Sequence, residues 1–147
     1  MLFLRAREMA TIELYADFSH LKEIRAFVRD TALELGLDEW AAYDLLLAVD
    51  EVCSNVLKHG YGGRAGRLTV SVAAVAGGVQ AVVRDWGMGF DPEAVPVPDL
   101  SVPLEQRTLG GLGLHLVRQT VDELRFAFGG ASGNTVTMVK LLQEGGA

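Results

Sequence analysis

Cysteine is nearly absent. Cys53 is the one thiol among 147 residues, so no internal disulfide is available, and its place among apolar residues suits a small core side chain in a reducing compartment. Long hydrophobic runs are also missing. Half of the residues are apolar, yet nowhere do about eighteen follow one another as a membrane-spanning helix requires. The opening MLFLRAREMA carries two arginines in its first apolar patch and no small-residue cleavage site. The expectation is a soluble, cytoplasmic protein with no membrane partner. Positive charge is scarce: 13 Lys and Arg against 19 Asp and Glu leave a net charge of -6. A protein that tracks phosphates along a strand needs a basic face to release counterions, so direct nucleic-acid binding is excluded. Proline is confined to one place, all four prolines falling between Asp91 and Arg107. That stretch has no apolar period, which predicts a long irregular loop of the kind used as a lid or binding segment.

What is present suits one domain over residues 1–147, with a core from about residue 11 to 142. TIELYA (11–16) alternates like a short strand. HLKEIRAFVRDTALELG then sets Leu21, Ile24, Phe27, Val28 and Leu35 on one helical face, closed by Gly36. Asp38 is placed to cap a second helix whose apolar residues are Tyr43, Leu46, Val49, Cys53 and Val56, running to a stop at HGYGG (59–63). RLTVSVAAV and VQAVVRDW, joined at Gly77-Gly78, predict a hairpin. After the proline-bearing loop come a helix in LGLHLVRQTV and two strands, ELRFAF and NTVTMVKLL, linked by GGASG. This order predicts an α+β fold, a mostly antiparallel sheet with helices on one face.

Three polar islands stand out. In LLLAVDEVCSNVLKHGYGG (45–63), Glu51, Asn55 and His59 recur every fourth position, which puts them on one side of a helix. A solvated face is the ordinary reading, but Asn is a poor helix former, and a carboxylate beside a carboxamide can divide labour between a base and an oxygen ligand for Mg²⁺. At the end of the hairpin stands Asp85-Trp86-Gly87-Met88-Gly89. Its glycines let a flat ligand approach backbone, and Asp85 offers an acceptor to the exocyclic amine of adenine, where guanine presents a carbonyl. The third island, Gly110-Gly111-Leu112-Gly113, precedes a helix whose free N–H groups can hold phosphates. It lacks the Lys-Ser/Thr ending of a Walker loop. Each island alone reads as a turn or a cap; their order, base helix, adenine strand end, lid and phosphate helix, makes a set.

The set resembles the Bergerat-fold (GHKL) ATPase superfamily, which includes gyrase B, mismatch-repair MutL and sensor histidine kinases. Glu51 to His59 stands for its N box, Asp85-x-Gly87-x-Gly89 for G1 and Gly111-x-Gly113 for G2. Gly133-Asn134-Thr135 looks like the last box, with the threonine hydroxyl near adenine. Within the superfamily, EVCSNVLKHGY and GGLGLHLVRQTVDEL look most like the anti-sigma-factor serine/threonine kinases of the RsbW and SpoIIAB type, a likeness running from about Thr11 to Leu142.

The resemblance implies a two-layer α/β sandwich that binds ATP and Mg²⁺. It further implies transfer of the γ-phosphate to Ser or Thr of a STAS-domain anti-anti-sigma protein, sequestration of a sigma factor and a homodimer. Carried over by motif, Glu51 is the general base and Asn55 the Mg²⁺ ligand, with Asp85, Gly87, Gly89, Gly111, Leu112, Gly113 and Thr135 around the nucleotide. Arg107 matches the lid arginine that stabilises charge in transfer, although Thr108, Leu109 and Gly110 separate it from Gly111, a longer spacing than the family pattern.

Three rivals share these boxes. An ATP-dependent binding module without kinase activity would lack the base, and Glu51 is present. A nucleotide-closed ATPase subunit of the gyrase type would carry further domains. A histidine kinase core would use His20 as phosphoacceptor, but His20 opens the domain's own first helix instead of a preceding hairpin.

Overall fold

The computed structural model describes residues 8–88 and 116–142. The chain starts with β1 (Met9–Ala16), turns through a short 3-10 segment at Phe18–His20, and enters α1 (Leu21–Glu34) and then α2 (Glu39–Asn55). A π-helical turn, Val56–Gly60, leads to β2 (Gly66–Val75) and β3 (Gly78–Asp85). Residues 116–120 are helical, and β4 (Glu123–Phe128) and β5 (Asn134–Leu141) complete the sheet.

The helix limits follow from local chemistry. The Asp17 side chain accepts from the Ser19 N–H while His20 Nδ1 accepts from the Asp17 N–H at 3.0 Å, so His20 closes a reciprocal cap at the start of the first helical segment. Gly36, at φ +110°, supplies the left-handed residue that ends the descent from α1. Asp38 caps α2, its Oδ1 accepting the Ala41 N–H at 2.8 Å. Within α2 the buried side is Ala41, Ala42, Leu45, Leu46, Ala48, Val49, Val52 and Cys53. Tyr43, expected on that side, is half-exposed; the stripe passes through Ala42 and Leu45 and leaves Tyr43 at its border.

The sheet order is β1-β2-β3-β5-β4, and every pairing is antiparallel. β2 and β3 form the expected hairpin, closed by the Val75–Gly78 pair, so Gly78 belongs to the strand and Gly77, at φ +78°, makes the turn. β4 reaches the far edge, and β5 returns between it and β3. Along β2, β3 and β5 the residues Leu68, Val70, Val72, Val79, Ala81, Val83, Val136 and Met138 face the same core as Ile24, Val28, Leu45 and Val49 of the helices. Each such side chain fully buried contributes about 1.5–3 kcal/mol relative to exposure. Their sequence neighbours Arg67, Thr69, Ser71, Val82, Arg84, Thr135 and Thr137 therefore share the opposite face, on which Thr11 and Ser71 hydroxyls meet at 2.9 Å. The expected layer, an antiparallel sheet with α1 and α2 on one face, is what the chain forms.

Candidate functional site

The last turn of α2 and the end of β3 are drawn together by backbone. After Asn55 the helix widens into the π turn Val56–Gly60, and its end is tied to the strand exit by the Met88 N–H, which donates to the Gly60 carbonyl at 2.8 Å. A π turn takes more residues per revolution than an α turn, so the four-residue stripe holds from Glu51 to Asn55 and not on to His59. His59 and Lys58 lie exposed in that wider turn.

Glu51 is half-buried, and burial, followed by repulsion from Asp50, raises its carboxyl above the ordinary value of 4.5. Asp50 is itself held by Arg25, whose Nη1 donates to its Oδ1 at 2.8 Å. Neither the Glu51 carboxylate nor the Asn55 carboxamide is committed to a side-chain hydrogen bond or ion pair among the described residues. A desolvated carboxyl with no cation beside it among the described residues has the character of a proton acceptor with enhanced basicity.

At the end of β3, Asp85 is only 4% exposed. Its Oδ1 accepts the Gly87 N–H at 2.9 Å and the Asn134 Nδ2 at 3.1 Å. Asn134 Nδ2 also donates to the Gly87 carbonyl at 3.0 Å. Tyr61 braces the same turn: its hydroxyl accepts the Trp86 N–H at 2.8 Å and donates to the Arg67 carbonyl at 2.6 Å.

The glycine at 87 is required by proximity. A Cβ there would lie 2.6 Å from the Gly60 oxygen and 3.1 Å from Tyr61 Cδ1. Gly133 is required twice, by φ +90° and by the Asp85 carbonyl, which would stand 2.7 Å from an added Cβ. The Arg67 and Arg84 guanidinium groups both lie over the Trp86 ring, at 4.0 and 5.0 Å from its centroid. Arg84 is anchored in turn by its Nε donating to the Ser132 carbonyl at 2.9 Å.

The structure thus places four of the residues singled out in the sequence on two joined segments: Glu51 and Asn55 on the helix, Asp85 and Gly87 on the turn bonded beyond that helix's end at Gly60. It does not bring Thr135 to them. Asp85 pairs across the ladder with Asn134, and Thr135 pairs with Arg84. Side chains alternate along a strand, so Thr135 belongs to the open face, and Asn134 occupies the place beside Asp85 that the threonine was expected to take. Gly89, Arg107, Gly111, Leu112 and Gly113, with the expected lid, lie outside the described residues.

Two residues escaped the sequence reading. Asn134 had a usable signal, since residues on one face of paired strands share parity and only position 134 faces Asp85. Tyr61 had none beyond its place after HG, because its partners come from β2 and the β3 exit.

Among the described residues no cluster of three His, Cys, Asp or Glu side chains is arranged to hold a metal. Mg²⁺ needs no such cage: it keeps much of its water and takes one or two protein oxygens plus phosphate oxygens. The carboxamide of Asn55, uncommitted beside a carboxylate, fits that mode.

The chain as a whole is similar to known proteins. Residues 14–140 match the family model of the histidine kinase-like ATPase domain. The serine-protein kinase RsbW of Bacillus cereus is 26% identical over 141 residues, 93% of this chain and 87% of the relative. RsbW of Bacillus anthracis matches to the same extent, 26% over 141 residues. A solved structure of the RsbU and RsbW domains of Rv1364c from Mycobacterium tuberculosis superposes with a TM-score of 0.61 at 24% identity, covering 90% of this chain and 32% of that one. The histidine kinase AdeS of Acinetobacter baumannii shares the fold more distantly, with a TM-score of 0.51 at 14% identity over 97% of this chain and 74% of its own. With its sheet order, its Asp85 turn and a match over residues 14–140, the chain belongs to the histidine kinase-like ATPase domain family and resembles its RsbW-type members.

Proposed function

We propose that the protein is an anti-sigma-factor serine/threonine kinase that moves the γ-phosphate of ATP to a Ser or Thr hydroxyl of a small STAS-domain anti-anti-sigma protein. The observation that supports this reading most is the state of Glu51, a carboxylate of raised proton affinity, uncommitted among the described residues, on the helix whose end is bonded to the Asp85 turn. A module that only held nucleotide would have no use for such a group. In this reading Asp85 takes the adenine amine, and Gly87 lets the base lie against backbone. Glu51 orients the attacking hydroxyl and receives its proton. Asn55 holds Mg²⁺, which when bound screens the phosphate oxygens as negative charge moves toward the leaving group. Gly89, Gly111, Leu112 and Gly113 are assigned to the phosphates and Arg107 to the charge that develops in transfer. The serine-protein kinase name of the relatives supports the acceptor class.

The reading extends to partners: a sigma factor held by the same module, and a homodimer supported by Met9 and Tyr15, exposed on the edge strand β1. Analytical ultracentrifugation of the full chain tests the dimer, and a monomer at tens of micromolar refutes it.

The decisive experiment is incubation with γ-labelled ATP, Mg²⁺ and the STAS-domain protein encoded nearest to it, alongside Glu51→Gln. The expected result is label on a serine or threonine of the partner, reduced at least about 100-fold in the variant while ATP affinity is kept. Labelling that survives Glu51→Gln removes the residue as base. Tight ATP binding with no labelled protein favours the ATP-dependent binding module.

A further inference from the structure

Lys140 pairs with Val79 at the end of the β3–β5 ladder opposite the Asp85–Asn134 pair. It shares parity with Asn134, Val136 and Met138, so its side chain leaves the sheet on the helix side. There the ammonium meets two acceptors from two other elements. Nζ lies 3.0 Å from Asp44 Oδ2 on α2 and donates to the Thr120 carbonyl at 2.9 Å. The Lys140 side chain is 19% exposed and that of Asp44 38%, so water screens this pair less than it does a surface bridge. Thr120 is the last residue of the helical stretch 116–120, where a carbonyl has no partner within its own helix. The exit of that stretch is fastened to β5 as well: the Asp122 N–H donates to the Val139 carbonyl at 2.8 Å, and Asp122 Oδ2 accepts the Leu141 N–H at 2.7 Å. Those two bonds stay between the exit and β5. Lys140 carries the attachment across to α2.

We infer that Lys140 is a positioning residue for phosphoryl transfer, keying the helix that follows Gly111-Leu112-Gly113 to the helix that carries Glu51 and Asn55. The inference rests on the reading of those glycine-box residues as phosphate contacts and of Glu51 as base. Asp44 and Glu51 are seven positions apart, two turns of one helix side, so the strut grips α2 on the side of its base. Beyond Asn55 the same helix is tied through Gly60 to Met88, and Lys140 holds it nearer its start. Apolar contacts of buried Val117 and Val121 hold the post-glycine segment against the core but are non-directional, so they leave it free to slide. An ammonium bonded to one carbonyl and one carboxylate fixes where along each helix the two meet. Transfer depends on the placement of phosphate relative to base and metal ligand, and a shift of one helix along the other disturbs that placement without touching the nucleotide.

The test is calorimetric titration of the full chain with adenosine, ADP and ATP in the presence of Mg²⁺, with melting temperatures recorded alongside. Lys140→Met, which keeps the length and removes the donors, is compared with Lys140→Arg and Asp44→Asn. In Lys140→Met, adenosine affinity is expected to stay within about twofold of the parent while ATP binding weakens about tenfold, the scale of one charge-assisted hydrogen bond. Lys140→Arg, whose guanidinium can serve both acceptors, is expected to recover ATP binding to within about threefold of the parent. Asp44→Asn keeps the Thr120 bond and is expected to weaken ATP by about threefold, and it decides the matter if Lys140→Met does not fold. An undiminished ratio of ATP to adenosine affinity in a folded variant overturns the positioning role. So does equal weakening of adenosine and ATP with a lowered melting temperature, the mark of a purely structural bridge. An unmodified chain that binds ATP no more tightly than adenosine overturns the phosphate reading itself and this inference with it.

Discussion

Replacing Gly87 by alanine places a methyl group where the Gly60 backbone stands. The new Cβ would lie 2.6 Å from the Gly60 oxygen and 2.8 Å from its carbon, against 3.4 Å for ordinary contact, so the two segments must part by about 0.8 Å. Neither obstacle is the tip of a flexible side chain. Parting stretches the 2.8 Å bond from the Met88 N–H to the Gly60 carbonyl past useful length, a loss of about 1 kcal/mol. Forcing a methyl into a packed contact costs a further 1–3 kcal/mol or so, and the stiffer unfolded chain returns about 0.4–1 kcal/mol. The net destabilisation is about 1–3.5 kcal/mol, a fall in melting temperature of about 2–14 °C for a domain of this size. Because Asp85 Oδ1 accepts the residue 87 N–H, ATP affinity is expected to fall together with stability. Thermal unfolding followed by circular dichroism, with ATP titration below the transition, reads both. Gly60→Ala is the control, since among the described residues its methyl would meet nothing nearer than the Met88 oxygen at 3.4 Å, and a shift within about 2 °C is expected. A Gly87→Ala protein that melts and binds ATP like its parent would refute the claim that the helix end and the Asp85 turn are held in direct contact.

Other perturbations test other parts of the argument. The Glu51 carboxyl is raised above 4.5, so its contribution to stability is full below about that pH and is lost as pH rises through the elevated value. Glu51→Gln, which never ionises, should therefore resist urea better than the parent at pH 7, with the gap closing toward pH 4; a gap that widens on acidification contradicts the burial argument. Asp38→Ala removes the α2 cap and should cost about 1 kcal/mol in chemical denaturation without altering ATP affinity. Burial drives the Cys53 thiol far above its usual range, so iodoacetamide should label it only at the rate of unfolding, and rapid labelling of the folded chain would show that the α2 core is open.

The sequence made the sheet and helices legible because their signals are local. Period-two alternation in ELRFAF and the Asp38 cap each depend on a few neighbouring residues, and those elements formed where expected. What escaped was relational. The widening of α2 into a π turn, whose last residue Gly60 is tied to Met88, 28 positions away in the chain, is announced by no helical periodicity. Tyr43 satisfied the apolar pattern but sits at the border of the stripe, where an apolar count and actual burial diverge. The Glu51 and Asn55 pair was visible because four-residue spacing on a helix is a geometric statement. Thr135 against Asn134 was not decided by motif alone, since choosing between adjacent residues needs the ladder register that only the fold supplies.

The insertion of β5 between β3 and β4 has a consequence for the order of events as the chain is made. Asp85 emerges early, but its side-chain partner Asn134 follows 49 positions later. The helix layer and the β1-β2-β3 meander can form while β5 is still unsynthesised, and β4 has no neighbour in the sheet until then. Closure of the Asp85 turn therefore waits for a long-range strand insertion, the slow class of folding step. If that turn is the nucleotide site proposed above, a nascent chain cannot hold nucleotide in the finished manner before its sheet is whole, and nucleotide capture would double as a certificate that the domain has completed folding.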